Sequence, residues 1–223
     1  LHVRHEHAAL SAAMSYHVAT GRIAAVSVTC GPGLTQLMTA LPAAERARIP
    51  VVILAGETPI NAKFYNQAID HAPFIAACGA HYIQAHSLPR MLDHVREAFH
   101  IARHDRRPVV LGVPYDMQKL PFEQATPYKS SASLVPHAGR PQPDPELVAA
   151  LIDKLKTAKR PVIVGGRGVL RSGATEAVVA LADRCGAALA NTLPVRGLFD
   201  HHPYGMGVSR GYGSTPVKEV SGA

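Results

Sequence analysis

The chain has 223 residues, of which 47% are hydrophobic and 17% charged, and this balance excludes an intrinsically disordered polypeptide. No apolar run approaches the ~18–20 residues that a membrane-spanning helix needs, so no membrane segment is predicted. The formal charge of +7 comes from scattered lysines and arginines without an aromatic-rich basic stripe. That distribution gives no support for nucleic-acid binding, and it fits anionic small substrates or an acidic partner segment.

The three cysteines, Cys30, Cys78 and Cys185, lie far apart and form neither a CxxC pair nor an even disulfide set. Buried thiols in a reducing cytoplasm are therefore expected. The chain starts at Leu1 inside an already folded pattern, and we expect it to be a piece of a longer protein.

The first half of the chain alternates short apolar runs with amphipathic segments. Runs that are apolar throughout are typical of strands buried on both faces of a parallel sheet, and the alternation indicates a doubly wound α/β unit. The predicted strands are residues 23–29, 49–56, 80–85 and 107–114, and the predicted helices are residues 8–20, 35–47 and 89–103.

A proline-rich stretch interrupts this pattern, and it predicts a first domain at 1–118, a linker at 119–143 and a second, partial α/β domain at 144–223. In the second domain we expect a helix that starts at Asp144 and Pro145, as N-cap and first helical residue. A strand at 160–166, a helix ended by Gly186 and a strand at 187–192 follow, so this unit is expected to be Rossmann-like.

The sequence "VTCGPGLTQLMTAL" joins a predicted strand to a predicted helix through Gly31, Pro32 and Gly33. The glycines allow backbone torsions barred to other residues, so backbone N–H groups in such a turn can approach a ligand closely. The turn is neither a Walker A loop nor GxGxxG, and a plain connection remains an alternative. Cys30, just before the helix, could be a nucleophile with a lowered pKa or a packed thiol.

Glu6 lies between His5 and His7, at the end of what we expect to be a short strand and before the first helix. The two histidines would point to opposite sides of an extended chain, and the HExxH spacing is absent, so metal ligation is disfavoured. A solvated carboxylate that caps the helix and a functional acid remain as alternatives.

These stretches together resemble the pyrimidine-binding domain of thiamine diphosphate-dependent enzymes, above all the acetolactate synthase-like branch. The ordered pattern is "RHEHAA", "ATG", "TCGPGLT" and "IPVVILAG", followed by "NQAIDHAPF" and "RRPVVLGVPYDMQ". The segment from "PVIVGGRGVL" to "HHPYGMG" resembles the central domain of the same family. The first strand and helix of the pyrimidine domain are missing by this comparison.

The resemblance implies a role for each of five residues. Glu6 would hydrogen-bond the aminopyrimidine ring and exchange a proton with it, so it is the expected catalytic residue. Gly31, Pro32 and Gly33 would lie near the pyrimidine ring, and Gln67 would approach the cofactor and substrate.

The resemblance also bears on where the other ligands of the family would bind. Mg²⁺ and the diphosphate would be held by a G-D-G…N motif that this chain lacks, so no metal ligand is predicted within it. FAD or a nucleotide could bind the central unit at "GGRGVL" and at residues 207–213.

The implied activity is formation or cleavage of a carbon–carbon bond next to a carbonyl, on a 2-keto acid or acyl substrate, in a homodimer or homotetramer. The isolated chain is expected to be inactive. Three departures leave acyl-CoA decarboxylase, benzoylformate decarboxylase and sulfoacetaldehyde acetyltransferase branches open: Ala68 replaces an acid, and His81 and Tyr115 replace lysines. A non-catalytic module that binds a nucleotide or a partner is the competing interpretation.

Overall fold

A computed structural model describes residues 1–123, 127–134 and 141–209, together with residues 213, 215, 217 and 219. The chain divides into two compact units, residues 1–138 and 139–223. Each unit contains a parallel sheet with helices between its strands. The predicted α/β class with two parallel-sheet units is therefore confirmed.

The first unit is built on a four-stranded sheet with the order β1-β2-β4-β3, in which every neighbouring pair is parallel. The strands are β1 (Ala24–Val28), β2 (Val51–Glu57), β3 (His81–Gln84) and β4 (Val109–Pro114). The helices are α1 (Glu6–Thr20), α2 (Pro32–Thr35), α3 (Ala40–Arg46), α4 (His71–Ala77) and α5 (Met91–Asp105), with short 3₁₀ helices at Leu88–Arg90, Met117–Lys119 and Ser131–Ser133.

The two central strands hold the core of this unit. Val51, Val52 and Ile53 of β2 are fully buried, as are Val109 and Leu111 of β4. Alternate residues of β2 belong to hydrophobic clusters on opposite faces of the sheet. This burial on both faces is what the uninterrupted apolar runs predicted.

Helix α5 covers one face of the sheet with the apolar stripe that its spacing predicted. Ala98 and Ala102 are fully buried, and Met91, Val95 and Phe99 pack against the same cluster. The i, i+3, i+4 spacing of apolar residues thus produced the expected packing.

Two elements near the start of the chain differ from the prediction. Residues 1–5 are exposed and form no strand, and α1 begins at Glu6 rather than at residue 8. The helix predicted over 35–47 is divided into α2 and α3. Pro42 has no N–H to donate within a continuous helix, so α3 starts late enough to hold this proline in its first turn.

Part of the predicted linker packs against α5. Ser131 is fully buried, and the Nε of Arg96 donates a hydrogen bond of 2.9 Å to the carbonyl oxygen of Lys129. The domain boundaries predicted from the sequence stay a prediction.

The second unit has a parallel sheet in the order β5-β6-β7. Asp144 caps its first helix as predicted, because its Oδ1 accepts a hydrogen bond of 2.8 Å from the Glu146 N–H. Gly186 adopts a left-handed conformation and ends a later helix, also as predicted. The elements are α6 (Pro145–Thr157), β5 (Val162–Gly165), α7 (Arg167–Ser172), α8 (Thr175–Cys185), β6 (Ala188–Asn191), a 3₁₀ helix at Leu193–Val195 and β7 (Gly205–Val208).

None of the helices in the described part of the chain combines the length and apolar character that crossing a bilayer requires.

Candidate functional site

A cleft of about 880 Å³ opens in the first unit at the carboxyl ends of β1, β2 and β4. Ligands of open α/β sheets bind at this edge of the sheet. Its walls are mainly apolar, with a small number of polar side chains that point into it. The polar contributors include Glu6, Tyr65, Gln67, Tyr115 and Gln118, and the apolar ones include Val28, Leu54, Met91, Val95, Leu111 and Val113.

Glu6 is the first residue of α1 and its half-buried side chain lines the cleft. The helix cap is made by its neighbour, since the Nδ1 of His5 accepts a hydrogen bond of 3.1 Å from the His7 N–H. Within the described residues, no hydrogen bond or ion pair occupies the Glu6 carboxylate. An acid that has no protein partner and faces a cleft is available to a ligand.

The Gly-Pro-Gly turn holds this acid and Gln67 close together. A Cβ on Gly33 would lie 3.3 Å from the Glu6 Oε1 and 2.2 Å from the Thr29 Oγ1. Gly31 has φ +60°, and a Cβ there would lie 2.0 Å from the Gln67 carbonyl oxygen. Both positions therefore require glycine because backbone or side-chain atoms approach them closely.

Pro32 is the first residue of α2. Residues next to the turn line the cleft. Cys30 precedes the turn in the chain, and Glu6 and Gln67 lie beside its two glycines. The structure thus brings all five residues that the sequence singled out to one place. Their roles toward a cofactor stay a prediction.

A buried polar network lies behind the turn, and we call it the Glu57 network: Glu57, His71 and Tyr82. Glu57 is 5% exposed and His71 is 2% exposed. The Nδ1 of His71 lies 2.5 Å from the Glu57 Oε1, and the Nε2 of His71 lies 3.1 Å from the Gly31 nitrogen. The Tyr82 hydroxyl donates a hydrogen bond to the same Glu57 oxygen.

These partners assign the tautomer of His71. The backbone N–H of Gly31 can only donate, so the Nε2 must be the unprotonated acceptor. The Nδ1 then carries the proton and donates a hydrogen bond to the Glu57 carboxyl group. His71 therefore connects a buried acid at the end of β2 to the backbone of the turn.

Two pKa shifts follow from the burial of this region. Burial and the hydrogen bond to Glu57 raise the pKa of Tyr82 well above its ordinary value, which keeps the phenol protonated. Burial also raises the pKa of Cys30, against a lowering hydrogen bond with Thr58. The Cys30 thiol donates a hydrogen bond of 3.5 Å to the Gln67 carbonyl oxygen. Of the two alternatives for Cys30, the packed thiol is the one that the structure supports, because desolvation outweighs the effects that would lower the pKa of the thiol.

The sequence reasoning missed all three members of the Glu57 network. A signal existed for Glu57, which is an acid that directly ends an apolar strand. His71 follows 14 residues later and Tyr82 lies 25 residues away, with no local pattern that joins them to Glu57.

Aromatic residues support Gln67 at the cleft wall. The Tyr65 hydroxyl donates a hydrogen bond of 3.4 Å to the Gln67 Oε1, and the Tyr65 and Tyr115 rings are 6.1 Å apart. The Nζ of Lys119 lies 4.2 Å from the centre of the Tyr115 ring. Tyr115, which the sequence marked only as a departure from the family pattern, is therefore part of this wall.

The comparisons with known proteins agree with this architecture. Residues 1–87 match the family model for the N-terminal TPP-binding domain of thiamine pyrophosphate enzymes, and residues 148–221 match the model for their central domain. The chain belongs to the family of thiamine pyrophosphate enzymes.

Within that family the chain is similar to acetolactate synthases. It is 31% identical over 221 residues to a Methanococcus aeolicus protein described as a probable acetolactate synthase large subunit, covering 96% of this chain and 37% of the relative. It is 33% identical over 227 residues to an acetolactate synthase of Mycobacterium bovis, covering 95% and 35%.

A solved structure shows the same fold. It is an enzyme from Mycobacterium smegmatis described as thiamin diphosphate-dependent, and it superimposes with a TM-score of 0.65 at 27% identity. The match covers 86% of this chain and 37% of that chain. The present chain thus spans little more than a third of the length of these relatives.

Proposed function

We propose that this chain supplies the aminopyrimidine-binding half of a thiamine diphosphate site, with Glu6 as the group that exchanges a proton with the ring. The reaction is the formation or cleavage of a carbon–carbon bond next to a carbonyl, on a 2-keto acid or acyl substrate, as in acetolactate synthases. The observation that carries the proposal is the Glu6 carboxylate, which lies beside Gly33 at the wall of the cleft and has no hydrogen-bond or ion-pair partner among the described residues.

The cleft fits a heterocycle of this kind. Its volume of about 880 Å³ falls within the range of small-molecule sites, and its walls are mainly apolar with few polar groups. The glycines at positions 31 and 33 allow Gln67 and Glu6, which line this cleft, to lie close to the turn. When it is bound, thiamine diphosphate supplies the electron sink that bond cleavage next to a carbonyl requires.

The protein contributes orientation and proton transfer. Glu6 holds a proton at a ring nitrogen, a role that suits a carboxyl group shielded on one side by the protein. The amide of Gln67 offers both donor and acceptor atoms to a ligand, and Tyr65 restrains it. The Glu57 network holds the Gly31 backbone, and Leu111 and Val113 add apolar surface to the wall of the cleft.

The remaining parts of the proposal concern the whole enzyme. Because the chain spans about 37% of its Methanococcus relative, we infer that Mg²⁺ and the diphosphate are held by residues outside it. A cytoplasmic homodimer or homotetramer is the assembly that the family resemblance supports.

FAD in the central unit has weaker support. A Cβ on Gly165 would lie 2.6 Å from the Phe199 ring, so packing within the protein explains this glycine without a ligand. Of the segment 207–213, residues 210–212 lie outside the described residues.

Saturation-transfer NMR with thiamine diphosphate and the purified chain tests the role of Glu6. We expect saturation to reach the aminopyrimidine protons, and Glu6→Gln to reduce it strongly while the fold is unchanged. Glu97→Gln, which alters an acid on α5 outside the cleft, is the matched control. Equal signals from the Glu6→Gln variant and the wild-type chain would contradict the proposal.

A second measurement concerns turnover. The purified chain, given pyruvate, thiamine diphosphate and Mg²⁺, is expected to show no decarboxylation. Turnover by the chain alone would contradict the assignment of the diphosphate site to residues outside it.

A further inference from the structure

A second cleft in the first unit, of about 600 Å³, is dominated by arginine. We call it the arginine pocket, and it is lined by Glu45, Arg46, Arg48, Asp105, Arg106 and Arg107. The pocket lies where two neighbouring strands begin, because Arg48 precedes β2 and Arg107 precedes β4. The cleft of Glu6 lies at the opposite ends of these strands. The seven residues of β2 separate the two sites by about 20 Å, so the arginine pocket is a distinct site.

The pocket carries an excess of positive charge. It has four arginines against two acids, and both acids already have partners. Glu45 pairs with Arg107 at 3.2 Å, and Asp105 pairs with His104 at 2.9 Å. The guanidinium groups of the other three arginines make no ion pair with the residues that the structure describes. Several unpaired cations around a concave surface attract an anion.

The backbone of the pocket is unusual as well. Arg48 has φ +49° and Arg106 has φ +54°, and they are the only non-glycine residues with positive φ in the described part of the chain. Both follow the ends of helices, α3 and α5, where glycine is the favoured residue for this conformation. Backbone strain collected at one place is a recognised mark of a functional site.

Unpaired buried atoms collect here too. Six buried side-chain nitrogen or oxygen atoms lack a hydrogen-bond partner among the described residues, and three of them belong to this pocket. They are the Nε atoms of Arg106 and Arg107 and the Oε2 of Glu45. Two donors therefore lack an acceptor, and one acceptor lacks a donor.

We infer that the arginine pocket binds a phosphomonoester that also carries a hydroxyl group, such as a sugar phosphate. The planar guanidinium fork matches two phosphate oxygens at once, so several arginines can hold one phosphate group. A ligand hydroxyl would donate to the Oε2 of Glu45. A sugar phosphate carries hydroxyl groups that lie apart from its phosphate, whereas the hydroxyl of inorganic phosphate sits on the phosphorus atom that the arginines would hold. This inference does not depend on the role of Glu6.

Isothermal titration calorimetry of the purified chain at low salt tests the site with three probes: ribose 5-phosphate, inorganic phosphate and ribose. Ribose 5-phosphate is expected to bind saturably and more tightly than inorganic phosphate, and ribose is expected not to bind. Arg48→Gly should lower the affinity for ribose 5-phosphate by at least about tenfold, since the substitution removes a charged hydrogen bond. This variant suits the backbone at position 48, so the chain is expected to stay folded.

Two further variants separate the phosphate from the hydroxyl. Arg106→Gly should weaken the binding of both anions. Glu45→Gln removes a negative charge and a hydrogen-bond acceptor, so it should lower the affinity for ribose 5-phosphate relative to that for inorganic phosphate, which it should not weaken. Arg103→Ala removes the same charge from an exposed position one turn earlier on α5, and it should leave both affinities within about twofold.

Three results would overturn the inference. One is the absence of saturable binding by ribose 5-phosphate and inorganic phosphate. Another is an equal loss of affinity in Arg103→Ala and Arg48→Gly, which would show nonspecific attraction. The third is that a glutamate-rich peptide, titrated as a further probe, binds while neither ribose 5-phosphate nor inorganic phosphate does. That result would assign the pocket to an acidic protein partner.

Discussion

The Nε2 of His71 accepts a hydrogen bond of 3.1 Å from the backbone N–H of Gly31, although the two residues are 40 positions apart in the chain. The same histidine donates to Glu57 through its other nitrogen. The Gly-Pro-Gly turn is therefore held from behind by a buried acid at the end of a central strand. The orientation of the turn toward Glu6 depends on side chains that never line the cleft themselves.

Loss of the histidine should destabilise the first unit. His71→Phe leaves the buried Gly31 N–H without its side-chain partner and leaves the Glu57 carboxyl group with only the hydrogen bond from Tyr82. We expect the free energy of unfolding, measured by urea denaturation, to fall by about 2–5 kcal/mol. His86→Phe alters an exposed histidine and should change the free energy of unfolding by less than about 0.5 kcal/mol. A similar small change for both variants would show that the network contributes little to stability.

The two glycines Gly21 and Gly31 offer a test of close approach. Both have positive φ, but a Cβ on Gly21 would have no neighbour within 4 Å, whereas one on Gly31 would lie 2.0 Å from the Gln67 carbonyl oxygen. Gly21→Ala should therefore cost about 1–2 kcal/mol of unfolding free energy, from backbone strain alone. Gly31→Ala should cost about 1–3 kcal/mol more, because the backbone of Gln67 must shift. Equal costs in thermal denaturation would refute the close approach.

The raised pKa of Tyr82 predicts a specific loss of stability at alkaline pH. In the unfolded chain this phenol ionises near its ordinary pKa of 10.0, while in the folded chain it keeps its proton to higher pH. The stabilisation that Tyr82 gives the folded chain is complete below pH 10 and is lost as the pH rises beyond 10. Above that pH the unfolded state releases a proton that the folded state retains.

The Tyr82→Phe variant should lack this part of the pH dependence. Urea denaturation at a series of pH values from about 8 upward would measure it, and tyrosinate absorbance would show which tyrosines ionise in the folded chain. Tyr16→Phe, an exposed position on α1, is the control. An unchanged alkaline slope in Tyr82→Phe would contradict the buried hydrogen bond to Glu57.

The thiols should differ in reactivity. Cys30 and Cys78 are buried and burial raises the pKa of each, whereas Cys185 is partly exposed. Since the thiolate is the reactive species, iodoacetamide at neutral pH should modify Cys185 at least about ten times faster than Cys30. Mass spectrometry of the modified peptides measures the three rates. Preferential labelling of Cys30 would restore its interpretation as a nucleophile.

The sequence predicted the parts of this fold that rest on local pattern. Uninterrupted apolar runs identified the strands, because parallel strands such as β2 are covered on both faces. The interval of three and four between apolar residues identified α5. It did not identify α4, which has only seven residues and is set by the Asp70 cap. It also misjudged the region around Pro42, where a missing N–H outweighed the apolar pattern.

The candidate site likewise has one part that the sequence predicted and one part that it did not. Glu6 and the Gly-Pro-Gly turn could be singled out beforehand, because each belongs to a short stretch of consecutive residues that carries the family resemblance. The Glu57 network and the arginine pocket could not, because their members come from separate elements that only the sheet brings together. Hydrogen bonds and charge attraction act over a few ångströms of space, whatever the separation along the chain. Sequence by itself thus determined the class of the fold and the acid at the cleft, and tertiary structure alone decided which side chains support that acid and where the arginines meet.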